Sequence, residues 1–179
     1  HAGGPVGYGR YGNESWIALE TAIGELEEGA TLSFSSGMAA ISAVFSILPI
    51  GAPVVASNQG YSGTMGLLNQ HHASGRLEVR FVEITDTEEV IAAMKGAAML
   101  WLESPTNPCL DVADLPALIT AAKKLGIGVG VDNTFATPLV QKPLTMGADI
   151  VMHSVTKFLA GHSDVVLGSL STKDEALYK

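Results

Sequence analysis

The sequence has little of what marks secreted, membrane-spanning or disulfide-bonded proteins. Its single cysteine, Cys109, excludes a disulfide bond within the chain and is typical of a reducing compartment. No run approaches the ~18 consecutive apolar residues of a membrane-spanning helix, and the first residues predict no signal peptide. We therefore expect a cytoplasmic protein with no membrane partner.

Charge is also scarce and has the wrong sign for binding nucleic acid. Charged residues make up 16% of the chain, and 10 Lys and Arg against 18 Asp and Glu give a formal net charge of −8. The basic residues are scattered rather than grouped, which predicts no nucleic-acid partner. Apolar residues make up 47% of the 179 residues, enough to bury the core of one globular domain.

No group of residues has the pattern of a metal or dinucleotide site. His71 and His72 are adjacent, so on a helix they face different directions, and we predict that they are surface residues. His153 and His162 lack further ligands at zinc spacing and are predicted to be structural. The glycines of GIGVGVD (126–132) precede and occupy a predicted strand instead of opening a helix, so they are not a dinucleotide fingerprint. No metal is expected.

Short apolar runs alternate with helical patterns along the chain. Strands are predicted at 31–36, 53–57, 77–84, 97–103, 127–132, 149–154 and 165–171. Helices are predicted between them, beginning at Gly37 and covering 64–74, 87–95 and 114–126. This alternation favours an α/β fold, with a mostly parallel sheet sandwiched by helices.

Two of the predicted helices have recognisable end signals. Thr85 and Glu88 have the spacing of a capping box and are predicted to open the helix over 87–95. Gly126 is predicted to end the helix over 114–126, because glycine readily adopts the left-handed conformation found just past helix ends.

Polar and reactive residues follow the predicted strands, at the edge where a parallel sheet binds its ligands. They are Ser36, Gly37, Met38, Tyr61, Asn107, Asp132, Ser154, Thr156 and Lys157. Since the carboxyl ends of parallel strands share one edge of a sheet, these residues are expected to converge. Together they suit a planar, phosphorylated cofactor that carries an aldehyde.

Each part of such a cofactor has a matching residue type. A helix beginning at Gly37 offers backbone N–H groups to a phosphate, and Ser154 and Thr156 offer hydroxyl groups. Tyr61 offers an aromatic face to a planar ring. Asp132, at a strand end, can keep a pyridine nitrogen protonated.

Lys157 has apolar neighbours along the chain, with Val155, Phe158 and Leu159 around it and no acidic residue before Asp164. We expect burial among these side chains to suppress the charge of its amine. An uncharged amine can form a Schiff base with an aldehyde. Lys157 is therefore the predicted site of covalent attachment.

Six motifs in chain order carry a family resemblance. They are YGRYGN (8–13), SSGMAA (35–40), YSGT (61–64), ESPTNP (103–108), VDNTFATP (131–138) and HSVTKFLAGHSD (153–164). In this order they resemble the Cys/Met-metabolism family of pyridoxal-phosphate enzymes, which includes cystathionine γ-synthase, cystathionine γ-lyase, cystathionine β-lyase and methionine γ-lyase. The resemblance extends from about Tyr8 to the end of the chain.

The resemblance implies roles for most of these residues. Residues 16–179 would form the large cofactor-binding domain of a fold type I pyridoxal-phosphate enzyme. Lys157 would hold the cofactor, Asp132 would pair with its pyridine nitrogen, and Tyr61 would stack on its ring and serve as an acid or base. The remaining cofactor-binding residues would be Ser36, Gly37, Met38, Ser154 and Thr156 at the phosphate and Asn107 near the phenolic oxygen.

The resemblance also implies an oligomer. Tyr8 and Arg10, in an N-terminal segment over 1–15, would reach the phosphate site of a neighbouring subunit. The active unit would be a homodimer at least, and we expect a homotetramer.

The substrate implied by the resemblance is a sulfur-containing amino acid, with cleavage of the Cγ–S bond of cystathionine or a related thioether favoured. A γ-synthase type of replacement on an activated homoserine stays open, as does an inert fragment that binds the cofactor without turnover. Gly63 stands where methionine γ-lyases usually have cysteine, which disfavours methionine as substrate. The family's C-terminal domain and its substrate-binding arginine would lie beyond Lys179.

Overall fold

A seven-stranded sheet is the centre of the molecule in the residues that the structure describes. The structure is a computed structural model, and it describes Tyr8, Gly9 and residues 12–179. The strands are β1 (Ala30–Phe34), β2 (Ala52–Ser57), β3 (Leu77–Val82), β4 (Met99–Glu103), β5 (Gly128–Asp132), β6 (Ile150–His153) and β7 (Gly168–Thr172). The helices are α1 (Glu14–Glu27), α2 (Gly37–Ser46), α3 (Ser62–Ala73), α4 (Thr87–Ala93), α5 (Leu115–Lys124), α6 (Thr137–Val140), α7 (Pro143–Met146) and α8 (Glu175–Tyr178).

The strand order across the sheet is β1-β7-β6-β5-β4-β2-β3. Strands β3, β2, β4, β5 and β6 pair in parallel, whereas β7 runs antiparallel to both of its neighbours, β6 and β1. The prediction of a mostly parallel sheet is confirmed. Because β7 runs against the others, it begins at the edge where they end.

Helices cover both faces of the sheet, and the alternation of side chains along each strand decides which face each residue joins. In β4, Leu100 and Leu102 are buried in the cluster that includes α5, whereas Met99 and Trp101 are buried in the cluster that includes α2 and α3. By the same alternation, the last residue of β4, Glu103, belongs to the α2 and α3 face. This packing of helices on both faces of the sheet therefore places the ends of the central strands next to the start of α2.

The helix end at Gly126 is confirmed, but the capping box before α4 is wrong. Gly126 has φ +71°, and its N–H group donates to the carbonyl oxygen of Lys123. At α4 the cap is Asp86, whose Oδ1 accepts from the N–H group of Glu89 at 3.0 Å. Thr85 instead donates its hydroxyl to Glu83 at 3.0 Å. The helix begins one residue later than the box requires, because the Asp86 carboxylate accepts from an N–H group of its first turn.

Within the described ranges, no helix combines the length and the apolar character needed to cross a bilayer.

Candidate active site

The predicted residues at the strand ends converge on one pocket. It is lined by Ser36, Gly37, Met38, Tyr61, Asn107, Asp132, Ser154, Thr156 and Lys157, together with Glu103 and Thr134, among others. Tyr8 is exposed and does not line this pocket, and Arg10 lies outside the described residues. The convergence expected from the parallel sheet is thus observed.

The N-terminus of α2 forms one wall of the pocket. The Oγ atom of Ser36 caps the helix by accepting from the N–H group of Ala39 at 3.1 Å. Helix geometry leaves the N–H groups of Gly37 and Met38 without an intrahelical partner. A Cβ atom built on Gly37 would lie 3.1 Å from Oγ of Ser154, so glycine lets that hydroxyl approach the helix end. Backbone donors and a hydroxyl therefore meet where a phosphate could bind.

Asp132 is one of two buried acids that line the pocket. Its Oδ1 accepts from the N–H group of Thr134 at 3.0 Å and from the Thr134 hydroxyl at 2.5 Å. Burial raises the pKa of Asp132 above its ordinary value, and the two bonds from Thr134 oppose part of that shift. A carboxylate in this setting stabilises a cation placed beside it, which is what a protonated pyridine nitrogen requires.

The segment after β6 is held by the hydroxyl groups of Thr134 and Thr156. The N–H group of Ser154 donates to Oγ1 of Thr134 at 2.9 Å. The Thr156 hydroxyl donates to the carbonyl oxygen of Leu167 at 3.1 Å and accepts from the Leu167 N–H group at 3.0 Å. Thr156 therefore closes the loop that leads into β7, while it also lines the pocket.

Lys157 lies at the pocket, but its predicted burial is wrong. The residue is exposed, and so is Phe158, with 63% of its surface accessible. Only Val155 of the apolar neighbours cited for it is fully buried. The reason is a turn: the N–H group of Lys157 donates to the carbonyl oxygen of Ser154 at 3.0 Å, so sequence neighbours point in different directions. In the described residues, the apolar burial predicted for Lys157 is therefore not found.

Glu103 is a site residue that the sequence analysis missed. It is buried, lines the pocket, and ends β4 directly opposite Asp132 in the β4–β5 register. Burial, with a smaller contribution from the charge of Asp132, raises its pKa to about 7. The available signal was an acidic residue at the end of an entirely apolar predicted strand.

A buried polar network supports the site from the other face of the sheet. Nε2 of His153 lies 2.5 Å from Oε1 of Glu27, and Nδ2 of Asn133 donates to the same oxygen at 3.0 Å. Gln141 donates to Oδ1 of Asn133 at 2.9 Å and to the carbonyl oxygen of Ser104 at 2.6 Å. The network fixes the residues that follow β4 and β5, which agrees with a structural role for His153.

The other histidines make local contacts. Nδ1 of His72 accepts from the N–H group of Val79 at 3.1 Å, and His71 packs edge-on against Phe45. The prediction that both are surface residues is confirmed for His72, which is exposed. His71 is only partly accessible, because it is half-buried. In the part of the chain that the structure describes, no group of three or more His, Cys, Asp and Glu side chains could hold a metal ion.

Comparison with known proteins gives consistent results. The chain is 42% identical over 178 residues to cystathionine β-lyase MetC of Bacillus subtilis, covering 98% of this chain and 46% of that protein. It is 44% identical over 172 residues to cystathionine γ-lyase of the same organism, covering 95% of this chain and 45% of the relative. The chain thus spans about half the length of the curated relatives it matches.

Solved structures agree with these relatives. Cystathionine γ-synthase from Xanthomonas oryzae pv. oryzae, in complex with cystathionine, matches with a TM-score of 0.93 at 38% identity, over 98% of this chain and 46% of that one. A model of the Cys/Met metabolism PLP-dependent enzymes matches residues 2–179. The chain therefore belongs to the Cys/Met metabolism family of pyridoxal-phosphate-dependent enzymes.

Proposed function

We propose that this chain is the cofactor-binding part of a carbon–sulfur lyase that cleaves the Cγ–S bond of cystathionine or a related thioether. The observation that carries the proposal is the single pocket that joins Lys157, Asp132 and the N-terminus of α2. The resemblance to cystathionine lyases and synthases supports the substrate class.

The residues of the pocket fit pyridoxal phosphate group by group. The N–H groups at the start of α2 and the Ser154 hydroxyl suit its phosphate, Asp132 suits its pyridine nitrogen, and Lys157 suits its aldehyde. Asn107 would lie near its phenolic oxygen and Tyr61 against its ring. When bound, the cofactor supplies an electron sink for negative charge that develops on substrate carbon atoms.

The protein's own groups would then move protons. The Lys157 amine would take a proton from Cα of the substrate, and afterwards from Cβ. The Tyr61 hydroxyl would donate a proton to the departing sulfur. Overall, cystathionine and water would yield cysteine, 2-oxobutanoate and ammonia, with the Cγ–S bond broken.

The proposal extends to the assembly and location of the protein. The segment over 1–15, with Tyr8 and Arg10, would contact the phosphate site of a neighbouring subunit. A homodimer at least, and a homotetramer by extension, would then be the active form in the cytoplasm.

Product identification tests the reaction. The full-length natural protein, incubated with L-cystathionine and pyridoxal phosphate, is expected to release cysteine and 2-oxobutanoate, measured by mass spectrometry. Homocysteine with pyruvate would show β-elimination and contradict the γ-assignment. Cystathionine formed from an activated homoserine and cysteine, without cleavage of cystathionine, would favour the γ-synthase type of replacement. Cofactor binding with neither reaction would identify an inert binding protein.

The position of the Tyr61 ring can be tested through a glycine. A Cβ atom at Gly63 would lie 2.6 Å from Cε1 of Tyr61 and 2.8 Å from Sδ of Met38, so Gly63→Ala must displace the ring. We expect the affinity for pyridoxal phosphate to fall about tenfold, measured by fluorescence titration. Gly66→Ala is the matched control on α3, because a Cβ atom there meets nothing within 4 Å. Equal affinities for the two variants would contradict the stacking role of Tyr61.

A further inference from the structure

One carboxylate holds two loops of the pocket. Oε2 of Glu103 accepts from the N–H group of Tyr61, and Oε1 accepts from the N–H group of Asn107, both at 2.8 Å. Tyr61 follows β2 and is the N-cap residue of α3, whereas Asn107 lies in the loop after β4. The backbone at both residues assigned to the cofactor ring is thus held by opposite oxygens of one buried acid.

The surroundings of Glu103 leave it little freedom. A Cβ atom on Gly60 would lie 2.9 Å from Oε2 of Glu103, so the chain before Tyr61 passes directly over the carboxylate. The side chain is also buried, with 8% of the residue accessible. A small displacement of Glu103 would therefore move Tyr61.

Glu103 also contributes charge to the floor of the pocket. Asp132 lies opposite it in the sheet register, and the two buried carboxylates repel each other. The other titratable groups that line the pocket are Tyr61 and Lys157. A cation beside Asp132 would relieve the repulsion, so Glu103 adds to the attraction that this edge of the sheet exerts on a protonated cofactor.

We propose that Glu103 is a positioning residue of the cofactor site, which sets Tyr61 and Asn107 relative to Asp132 and strengthens the negative field at the bound ring. This inference rests on the proposed function, because it assumes that pyridoxal phosphate occupies the pocket. It extends that function to a residue that need not touch the cofactor.

Two substitutions in the full-length protein separate position from charge. Glu103→Gln keeps the shape but removes the charge and replaces one acceptor by a donor, so one N–H group loses its partner. We expect it to weaken pyridoxal-phosphate affinity about tenfold. Removal of a negative charge disfavours a nearby cation, so the midpoint of the pH-dependent absorbance of the bound cofactor should fall by about one pH unit. Glu103→Asp keeps the charge but retracts the oxygens, and should lower affinity while leaving the midpoint near that of the unsubstituted protein.

Glu83→Gln is the matched control. The Oε1 atom of Glu83 also accepts from a backbone N–H group, that of Thr85 at 3.3 Å, and Glu83 does not line the pocket. The inference would be overturned if Glu103→Gln left both the pyridoxal-phosphate affinity and the pH midpoint of the absorbance unchanged. It would also be overturned if Glu83→Gln changed these two quantities as much as Glu103→Gln does. If Glu103→Gln does not fold, normal affinity in folded Glu103→Asp would overturn it.

Failure of the inference can be told apart from failure of the proposed function. An unsubstituted protein that binds no pyridoxal phosphate would overturn both. Normal cofactor binding and turnover, with a Glu103→Gln variant that behaves like the unsubstituted protein, would overturn the role of Glu103 alone.

Discussion

Replacing Lys157 by alanine is expected to abolish covalent attachment of pyridoxal phosphate and to reduce cystathionine cleavage at least ~1,000-fold. The Lys157→Ala change removes the pocket's amine at the turn after β6, and with it the group assigned to the Cα and Cβ protons. The backbone bond from its N–H group to Ser154 is retained, so the turn should persist. The measurement is borohydride reduction of the full-length protein followed by peptide mass spectrometry, with turnover assayed in parallel.

The control for this prediction is Lys173→Ala. Lys173 is also exposed but follows β7 and does not line the pocket. It should keep both the attached cofactor and the turnover. A reducible covalent adduct that persists in Lys157→Ala would show that another amine holds the cofactor.

Asp132→Asn is expected to leave the fold intact and to lower turnover at least ~100-fold, measured as kcat of the full-length protein. The asparagine oxygen can still accept both bonds from Thr134, and a neutral amide avoids the cost of burying a charge. A neutral amide cannot keep the pyridine nitrogen protonated, so the electron sink is weakened.

Asp149→Asn provides the comparison. Asp149 accepts from the N–H group of Val129 at 2.8 Å, near the start of the strand that Asp132 ends, and is only partly exposed. Its substitution should affect stability more than kcat. A near-normal kcat in a folded Asp132→Asn variant would contradict the proposed role of Asp132 at the pyridine nitrogen.

Local sequence patterns predicted the seven strands and helices α2 to α5, because periodicity and glycine placement act over short distances, but they did not predict α1 or the short helices α6 to α8. All seven predicted strands occur, and α2 begins at Gly37 as predicted. The convergence of Asp132 and Ser154 also follows from the parallel ends of β5 and β6. The start of α2 reaches the same edge because β1 pairs with the antiparallel β7. The roles of these residues toward the cofactor stay predictions.

The errors at the site share a physical cause, which is that chain neighbours need not be spatial neighbours. Lys157 lies in a turn, so its apolar neighbours do not bury it. Glu103 escaped notice because its importance comes from Tyr61 and Asp132, which are distant in sequence but adjacent across the strand ends. Thr134 was missed for a related reason, since its hydroxyl links Asp132 to Ser154 only after the ends of β5 and β6 have met.

The pairing of β1 with β7 bears on the order in which a ribosome makes the site. Strand β1 leads directly into α2, yet β7 is its sole neighbour in the sheet order of the described residues. The hydrogen bond between the hydroxyls of Thr31 and Ser171, at 2.7 Å, joins positions 140 residues apart. Closing a loop of that length costs about 4 kcal/mol beyond a constant, so this contact should form late. The N-terminus of α2, which is assigned to the phosphate, is synthesised early. The preceding strand β1 can pair with β7 only after nearly all of these residues have been synthesised.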